Sequence, residues 1–329
     1  MTAGRSAPDR VLIVGGAGFI GSHFVDRMLS REGGAVTVYD NFSSGQEWHL
    51  AHHHTDGRLA VVRGEVDDLP GLTAAMVGHD TVIHLASNPD IAKAMTDPSV
   101  DFYQGTLLTH HVVEAMRQSG ARQILYASGS GVYGDLGERE GTEDYGPLVP
   151  VSTYGASKLA GESLISSYCY MFDMVGCVFR FGNVVGPRQT HGVGFDFVRR
   201  LERDRTRLEI LGDGQQSKSY VHVTDVVDAV LLATERAPAP FAAYNVATGD
   251  YITVREIAEL AIEVVGAKRD SVELIFSGGD RGWKGDVPVV RLDTRRVRQL
   301  GWANRMDTRQ ALRASLEAML AEVRAGGSA

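Results

Sequence analysis

Tyr154-Gly155-Ala156-Ser157-Lys158 sets a phenol and an ammonium group one helical turn apart, on one face of any helix this segment forms. A tyrosine, with a free pKa of about 10, is a poor base at neutral pH. A neighbouring cation favours the phenolate, so Lys158 can turn Tyr154 into a group that accepts a hydroxyl proton. The spacing alone is common and equally describes an exposed surface pair. Its chemical meaning depends on what stands near it.

The apolar run Val11–Val14 ends in Gly15-Gly16-Ala17-Gly18-Phe19-Ile20-Gly21, and a helical pattern opens directly behind it. Gly15 permits a tight turn, Gly18 lets the backbone approach a pyrophosphate at the helix N-terminus beside Phe19 and Ile20, and Gly21 lets the helix pack closely on its strand. About 20 residues further on, Asp40 ends the next apolar run, where a carboxylate can accept hydrogen bonds from the adenosine ribose. Together these features predict a dinucleotide site. Asp40 repels a ribose 2′-phosphate, and the following Asn41, Phe42, Ser43, Ser44 and Gly45 bring no Arg or Lys to neutralise one, so NAD is the expected cofactor over NADP. Glu65 and Val66 are placed to flank the adenine, and Leu85, Ala86 and Ser87 to line the middle of the cofactor. The positive nicotinamide ring would be a second cation near Tyr154, which could then take a hydroxyl proton as hydride leaves the same carbon.

The elements that must hold these residues are legible as short β-branched runs, Val11–Val14, Val36–Tyr39, Leu59–Val62, Thr81–Ala86, Gln123–Ala127 and Val175–Phe179. Lacking polar alternation, they suit strands buried on both faces of a parallel sheet. Helical patterns fall at Phe19–Arg31, Leu69–Val77, Pro98–Ser119 and Thr153–Phe172, the last carrying Tyr154, Lys158 and Glu162 along one face. The expected fold is α/β, a doubly wound parallel sheet (Rossmann) with a smaller C-terminal α/β substrate domain. Residues 1–179 form the expected NAD-binding domain and 180–329 mainly the substrate domain, with 220–248 able to return to the first sheet. Glycine-punctuated loops mark the second part, with further helices at Val254–Val265 and Thr308–Val323.

Of 329 residues 43% are hydrophobic and 22% charged, which excludes disorder, collagen and a fibrous repeat. A formal charge of −8 without a basic run makes nucleic acid an unexpected partner. Cys169 and Cys177 have neither redox nor zinc spacing, which suits a reducing cytoplasm. The polar start MTAGRSAPDR lacks a signal-peptide layout and no run has membrane-spanning length, so no membrane association is expected. His49, His52, His53 and His54 invite a metal reading, but consecutive histidines diverge on a helix or strand, and a solvated segment without metal is expected.

These residues together resemble the extended short-chain dehydrogenase/reductase superfamily, and within it the nucleotide-sugar epimerases and dehydratases. The likeness runs through GGAGFIG, Asp40-Asn41, HLAS at His84–Ser87, VYG at Val132–Gly134, YGASK, RFGNVVGPR from Arg180, GDGQQSKSYVHVTDVVDA from Gly212 and RGWKGDVP from Arg281. HGVGFDF and GDRGWKGDV look most like compact UDP-glucose (UDP-galactose) 4-epimerases. The resemblance implies a nucleotide-sugar substrate and a homodimer. It also implies that Asn183 contacts the diphosphate while Lys218, Arg281 and Lys284 clamp the phosphates or their ribose, with Trp283 stacked on a base or covering a seam nearby.

The chain departs from that pattern at three positions. Relatives carry Ser or Thr four residues before the tyrosine of VYG, bonding the reacting sugar oxygen; here that position is Gly129. Ser128 or Ser130 can replace it only if the strand end bulges, because side chains alternate along a strand. Phe102 stands where relatives often have an Asn, and Lys218 where many have an Arg, losing a bidentate fork but keeping charge. Dehydratases resemble one another in an acidic pair after the Thr, and decarboxylases in a Glu before VYG; Ser130 and Gly131 hold the matching positions here. The reading is an NAD-dependent 4-epimerase of UDP-glucose/UDP-galactose type, working through a transient 4-keto sugar on Tyr154, Lys158 and Ser130. A dehydratase, a uronic-acid epimerase or decarboxylase, and a non-catalytic NAD-binding relative stay open as alternatives.

Overall fold

The computed structural model describes residues 10–325, except Val66 and residues 89–90. The chain begins with β1 (Arg10–Val14), α1 (Phe19–Leu29), β2 (Ala35–Asp40), β3 (Leu59–Arg63), α2 (Leu69–Met76) and β4 (Thr81–His84). The short α3 (Ser99–Asp101) runs through a π-helical stretch, Phe102–Leu107, into α4 (Leu108–Ser119). Next come β5 (Gln123–Gly129), α5 (Thr153–Met171), β6 (Val175–Phe181) and the short β7 (Asn183–Val185). The remainder contains α6 (Val193–Arg203), β8 (Arg207–Ile210), β9 (Ser217–Lys218), β10 (Tyr220–His222), α7 (Val223–Arg236), β11 (Phe241–Val246) and β12 (Ile252–Thr253). It closes with α8 (Val254–Val264), β13 (Glu273–Phe276), α9 (Arg295–Gln299) and α10 (Thr308–Arg324).

Seven parallel strands form one sheet in the order β11-β6-β5-β4-β1-β2-β3. Period-two alternation sends Leu12, Val14, Val82 and Ile124 to one face, where they pack with Leu72, Met76, Val112, Met116 and Ile165 of α2, α4 and α5. Val11, Ile13, Ile83 and Leu125 face the opposite way, onto Phe24, Val25 and Met28 of α1 and Val226 and Val230 of α7. Both faces are therefore covered, and this explains the unbroken apolar runs. Strand β3 is the exception: it is an edge strand and Val61 is 47% exposed, so its apolar run is not buried on both faces.

A second apolar cluster joins Phe195 and Leu201 of α6, Leu208 and Ile210 of β8, Ile257 and Leu260 of α8, and Leu312 and Leu316 of α10. It is the core of a smaller C-terminal α/β unit, in which β8 pairs with β13 in parallel. Late sequence also returns to the first sheet, since β11 pairs along β6 from Phe241 with Gly176 to Val246 with Phe181. Strand β6 runs on through Arg180, whose texture in sequence suggested a change of unit; its register with Ser128 and Asn245 puts it inside the sheet. Among the described residues no helix is long and apolar enough to cross a membrane.

Candidate active site

The sheet order turns back between β1 and β4, the strand pair at which an open α/β sheet forms a crevice beyond its carboxyl ends. A cavity of about 740 Å³ opens there. Gly15, Gly18, Phe19, Ile20, Gly21, Asp40, Asn41, Ser43 and Ser44 line its first half, and Leu85, Ala86 and Ser87 its middle. Gly15 has φ of +84°, and a Cβ there would stand 2.7 Å from the Ala86 nitrogen, so only glycine fits the turn. A Cβ at Gly21 would collide with the Gly15 carbonyl oxygen. Helix α1 has neither a side-chain cap nor an acidic residue in its first turn, which leaves its N-terminus available to an anion.

Asp40 anchors this half. Its Oδ2 accepts the Ala17 N–H at 2.9 Å and its Oδ1 the Phe42 N–H at 2.8 Å. Burial raises the carboxyl above its ordinary range, while those two N–H groups and the Arg63 charge oppose the rise. A carboxylate has about four acceptor sites, so the two that remain suit a pair of ribose hydroxyls. The unfilled helix end, the glycine cradle and this carboxylate together fit NAD. Gly45 packs under Asp40 instead of lining the cavity, and Glu65 accepts from the Asn41 amide at 2.9 Å. Val66 lies outside the described residues. Arg63 was missed by the reading of residues 41–45 because it arrives from β3, over the Phe42 ring at 4.3 Å.

Ser152 caps α5 by accepting the Gly155 N–H, and the first turn of that helix carries Tyr154 into the cavity wall. Lys158, one turn later, is 2% exposed and donates to the Ala127 carbonyl at 2.8 Å. Burial pushes the lysine down to about 8, against the pull of Asp101 and Glu162. Burial pushes the Tyr154 phenol up to about 12; the Ser87 hydroxyl offsets this in part, and Asp101 raises it further. The sequence expectation is that Lys158 and the nicotinamide together favour the phenolate; in the protein by itself burial outweighs Lys158, whose ammonium is held by a backbone carbonyl.

Two buried carboxylates surround this pair, and neither was singled out as functional from the sequence. Asp101, 1% exposed, accepts the Asn88 amide at 2.9 Å and the Thr153 hydroxyl at 2.6 Å, tying the segment after β4 to the start of α5. Glu162 accepts from Arg180 through Nε at 3.0 Å and Nη2 at 2.7 Å, and from the Ser128 hydroxyl at 2.6 Å. Arg180 also donates to the Tyr133 oxygen at 3.0 Å, and Tyr133 donates to Asn245 at 2.8 Å. The tyrosine of VYG thus serves a network crossing β5, β6 and β11. Ser128 is on the cavity wall, but its proton is given to Glu162, which removes it as a substrate donor. Ser130 opens a 3₁₀ turn, Ser130–Tyr133, and lines the cavity with Gly129 and Gly131.

On the far wall, Asn183 lines the cavity while its amide donates to the Ser219 carbonyl at 3.3 Å. Lys218 also lines it, paired to Asp286 at 2.6 Å, and Trp283 stands beside them. Arg281 and Lys284 do not line it. Arg281 instead bonds the Asp286 carbonyl at 2.6 Å and Asp135 at 2.7 Å, so a diphosphate clamp by this residue requires it to release Asp135.

The histidine segment also differs from expectation. His52 and His53 do not diverge: both direct Nε2 to Asp26 Oδ1, at 2.8 and 2.9 Å, because the 3₁₀ turn Ala51–His53 folds against α1. His49 is buried beneath the glycine turn and donates through Nδ1 to the Ala17 carbonyl at 2.7 Å.

Fold and site define a dinucleotide-binding α/β protein with a tyrosine–lysine pair over the cofactor cleft. The chain belongs to the NAD dependent epimerase/dehydratase family, whose model matches residues 11–247, and NAD is its cofactor. It is 34% identical to UDP-glucose 4-epimerase of Mycolicibacterium smegmatis, over 89% of this chain and 93% of that one. Among solved structures, a UDP-galactose 4-epimerase superposes with a TM-score of 0.84 at 35% identity, covering 95% of this chain and 99% of the other. A double mutant of dTDP-glucose 4,6-dehydratase from Streptomyces venezuelae, with NAD bound, superposes with a TM-score of 0.87 at 26% identity, covering 96% and 98%.

Proposed function

We propose that the protein is an NAD-dependent nucleotide-sugar 4-epimerase of the UDP-glucose/UDP-galactose type. The observation that carries this reading is the make-up of the cavity at the end of β5, where Ser128, Gly129, Ser130 and Gly131 supply no carboxyl; the buried Asp101 and Glu162 behind the tyrosine–lysine pair do not line the cavity and are held by Asn88 and Thr153 and by Arg180 and Ser128. Water loss needs an acid and a base beyond the tyrosine, whereas reversible oxidation at one carbon needs one proton acceptor. When bound, NAD would supply the hydride acceptor in its oxidised form and the hydride donor in its reduced form, so that no outside redox partner is needed.

Tyr154 takes the proton of the carbon-4 hydroxyl and gives one back after the 4-keto sugar has turned over within the cavity. Lys158, held on Ala127, keeps a positive charge beside the phenol. Asn183 and Lys218 face the diphosphate, and Arg281 joins them once freed from Asp135. Purified enzyme should interconvert UDP-glucose and UDP-galactose without added reductant and without change of product mass. A product lighter by water or carbon dioxide would refute the reading. The open space over Gly129 favours one variant of it, an epimerase whose sugar bears a bulkier group, such as a uronic acid.

A further inference from the structure

Asp26, His52 and His53 form a cluster outside the cofactor cavity, which none of the three lines. His52 and His53 are consecutive, yet the 3₁₀ turn Ala51–His53 brings both imidazoles to α1 with ring centres 4.0 Å apart. Each sets its Nε2 on the same oxygen, Asp26 Oδ1, at 2.8 and 2.9 Å. The two nitrogens and the oxygen all lie within 4.8 Å of one another. Two imidazoles and a carboxylate converging in this way are a donor set for zinc-type cations.

The other oxygen of the carboxylate is already engaged. Arg188, which follows β7, donates through Nη2 to Asp26 Oδ2 at 2.5 Å, and its own backbone N–H is fixed on Glu322 of α10 at 2.9 Å. That contact turns the carboxylate so that Oδ1 is left for a single bond to an ion, as outer hydrogen bonds orient metal-ligating groups. The guanidinium charge opposes a cation and so limits affinity, but it occupies none of the three donor atoms. An ion can also reach them, since the side chains of His52, His53 and Asp26 are 48%, 18% and 30% exposed.

We propose that Asp26, His52 and His53 bind one zinc-type divalent cation through Asp26 Oδ1 and the two Nε2 atoms, with water as fourth ligand. Metal bonds of about 2.0 to 2.2 Å in a tetrahedron hold the donor atoms about 3.4 Å apart, so the two hydrogen bonds open by about half an ångström. Each Nε2 offers its lone pair once its proton has moved to Nδ1, a change of tautomer with no proton lost. The ion clips the segment after β2 to α1. Gln46 and His49 of that segment both donate to the Ala17 carbonyl of the glycine turn, at 3.0 and 2.7 Å, so the clip braces the cofactor cradle from behind without entering it.

The test uses untagged, full-length, NAD-loaded protein with zinc alone, titrated in competition with a chromophoric chelator, and cobalt(II) as the spectroscopic probe. Wild type should take up zinc saturably, and cobalt should show the strong visible bands of a four-coordinate site. His52→Ala, His53→Ala and Asp26→Asn should each weaken zinc binding by more than about tenfold, the loss expected from removing even an outer hydrogen-bond partner of a metal ligand. His54→Ala, the next histidine along and outside the cluster, should leave binding unchanged. Zinc should raise the urea midpoint of wild type and His54→Ala but not that of His52→Ala, which deletes a half-exposed ring and leaves the Asp26–Arg188 pair intact. Absence of saturable uptake, uptake that survives the three substitutions, an equal loss in His54→Ala, a six-coordinate cobalt spectrum, or a wild-type midpoint that zinc does not move overturns the proposal.

Discussion

The ammonium nitrogen of Lys158 lies 2.8 Å from the Ala127 carbonyl oxygen and 5.5 Å from the centre of the Tyr154 ring. The charge is anchored on the strand and stands beside the phenol without being spent on it. Because the amine ordinarily titrates at 10.5 and is pushed down to about 8 by burial, the unfolded chain holds the extra proton between those values. Stability therefore rises with pH across that window. Lys158→Met should flatten this rise by about 1 to 3 kcal/mol, read as urea midpoints of both proteins from pH 8 to 10.5.

Tyr154→Phe removes the proposed proton acceptor but keeps the ring against the cavity wall. Turnover should fall by about 10² to 10⁴, with NAD affinity changed little. Steady-state rates and NAD titration on one preparation decide this, and equal turnover would exclude the mechanism.

Asp40 accepts two backbone N–H groups, those of Ala17 and Phe42, and is the proposed acceptor for the ribose hydroxyls. Asp40→Ala should therefore weaken NAD binding at least about tenfold and also lower stability by about 1 to 3 kcal/mol, because two donors lose their partner. NAD titration and urea unfolding measure the two effects separately.

Glu162 and Arg180 form an ion pair whose side chains are each 6% exposed. Glu162→Gln leaves a buried guanidinium without its counter-charge, and the expected loss is about 3 to 5 kcal/mol. Changing both residues together should cost less than the sum of the single changes, a coupling that a double-mutant cycle in urea would show.

The sheet was largely legible because strands β1, β2, β4, β5 and β6 are short and apolar, and the cofactor half because glycine spacing and Asp40 have local meanings. Strand β3 was read at the correct place, but its edge position depends on which strand pairs with it, and sequence does not display that. Asp101 lies next to Phe102, where the family pattern directs attention. The π-helical stretch begins at Phe102, which ends 54% exposed, while Asp101 faces inward to partners as distant as Thr153. Glu162 was visible as a member of the Tyr154 face of α5. Its partner Arg180 fell where the reading placed the start of a new unit, so the pair went unnoticed. The direction of the Tyr154 shift was missed for a related reason: distance along a helix locates a charge, whereas burial is a property of the folded whole.

The placement of β11 on the outside of β6 bears on biosynthesis. Phe241–Val246 leave the ribosome long after the glycine turn and the Tyr154 helix have been made. Until they do, the nascent chain presents β6 as an unpaired apolar border, a template for mispairing with other strands. Maturation of the nucleotide-binding half must wait for translation to pass Val246. A shortened product ending before Phe241 should for that reason be a substrate for chaperones rather than a self-sufficient cofactor binder.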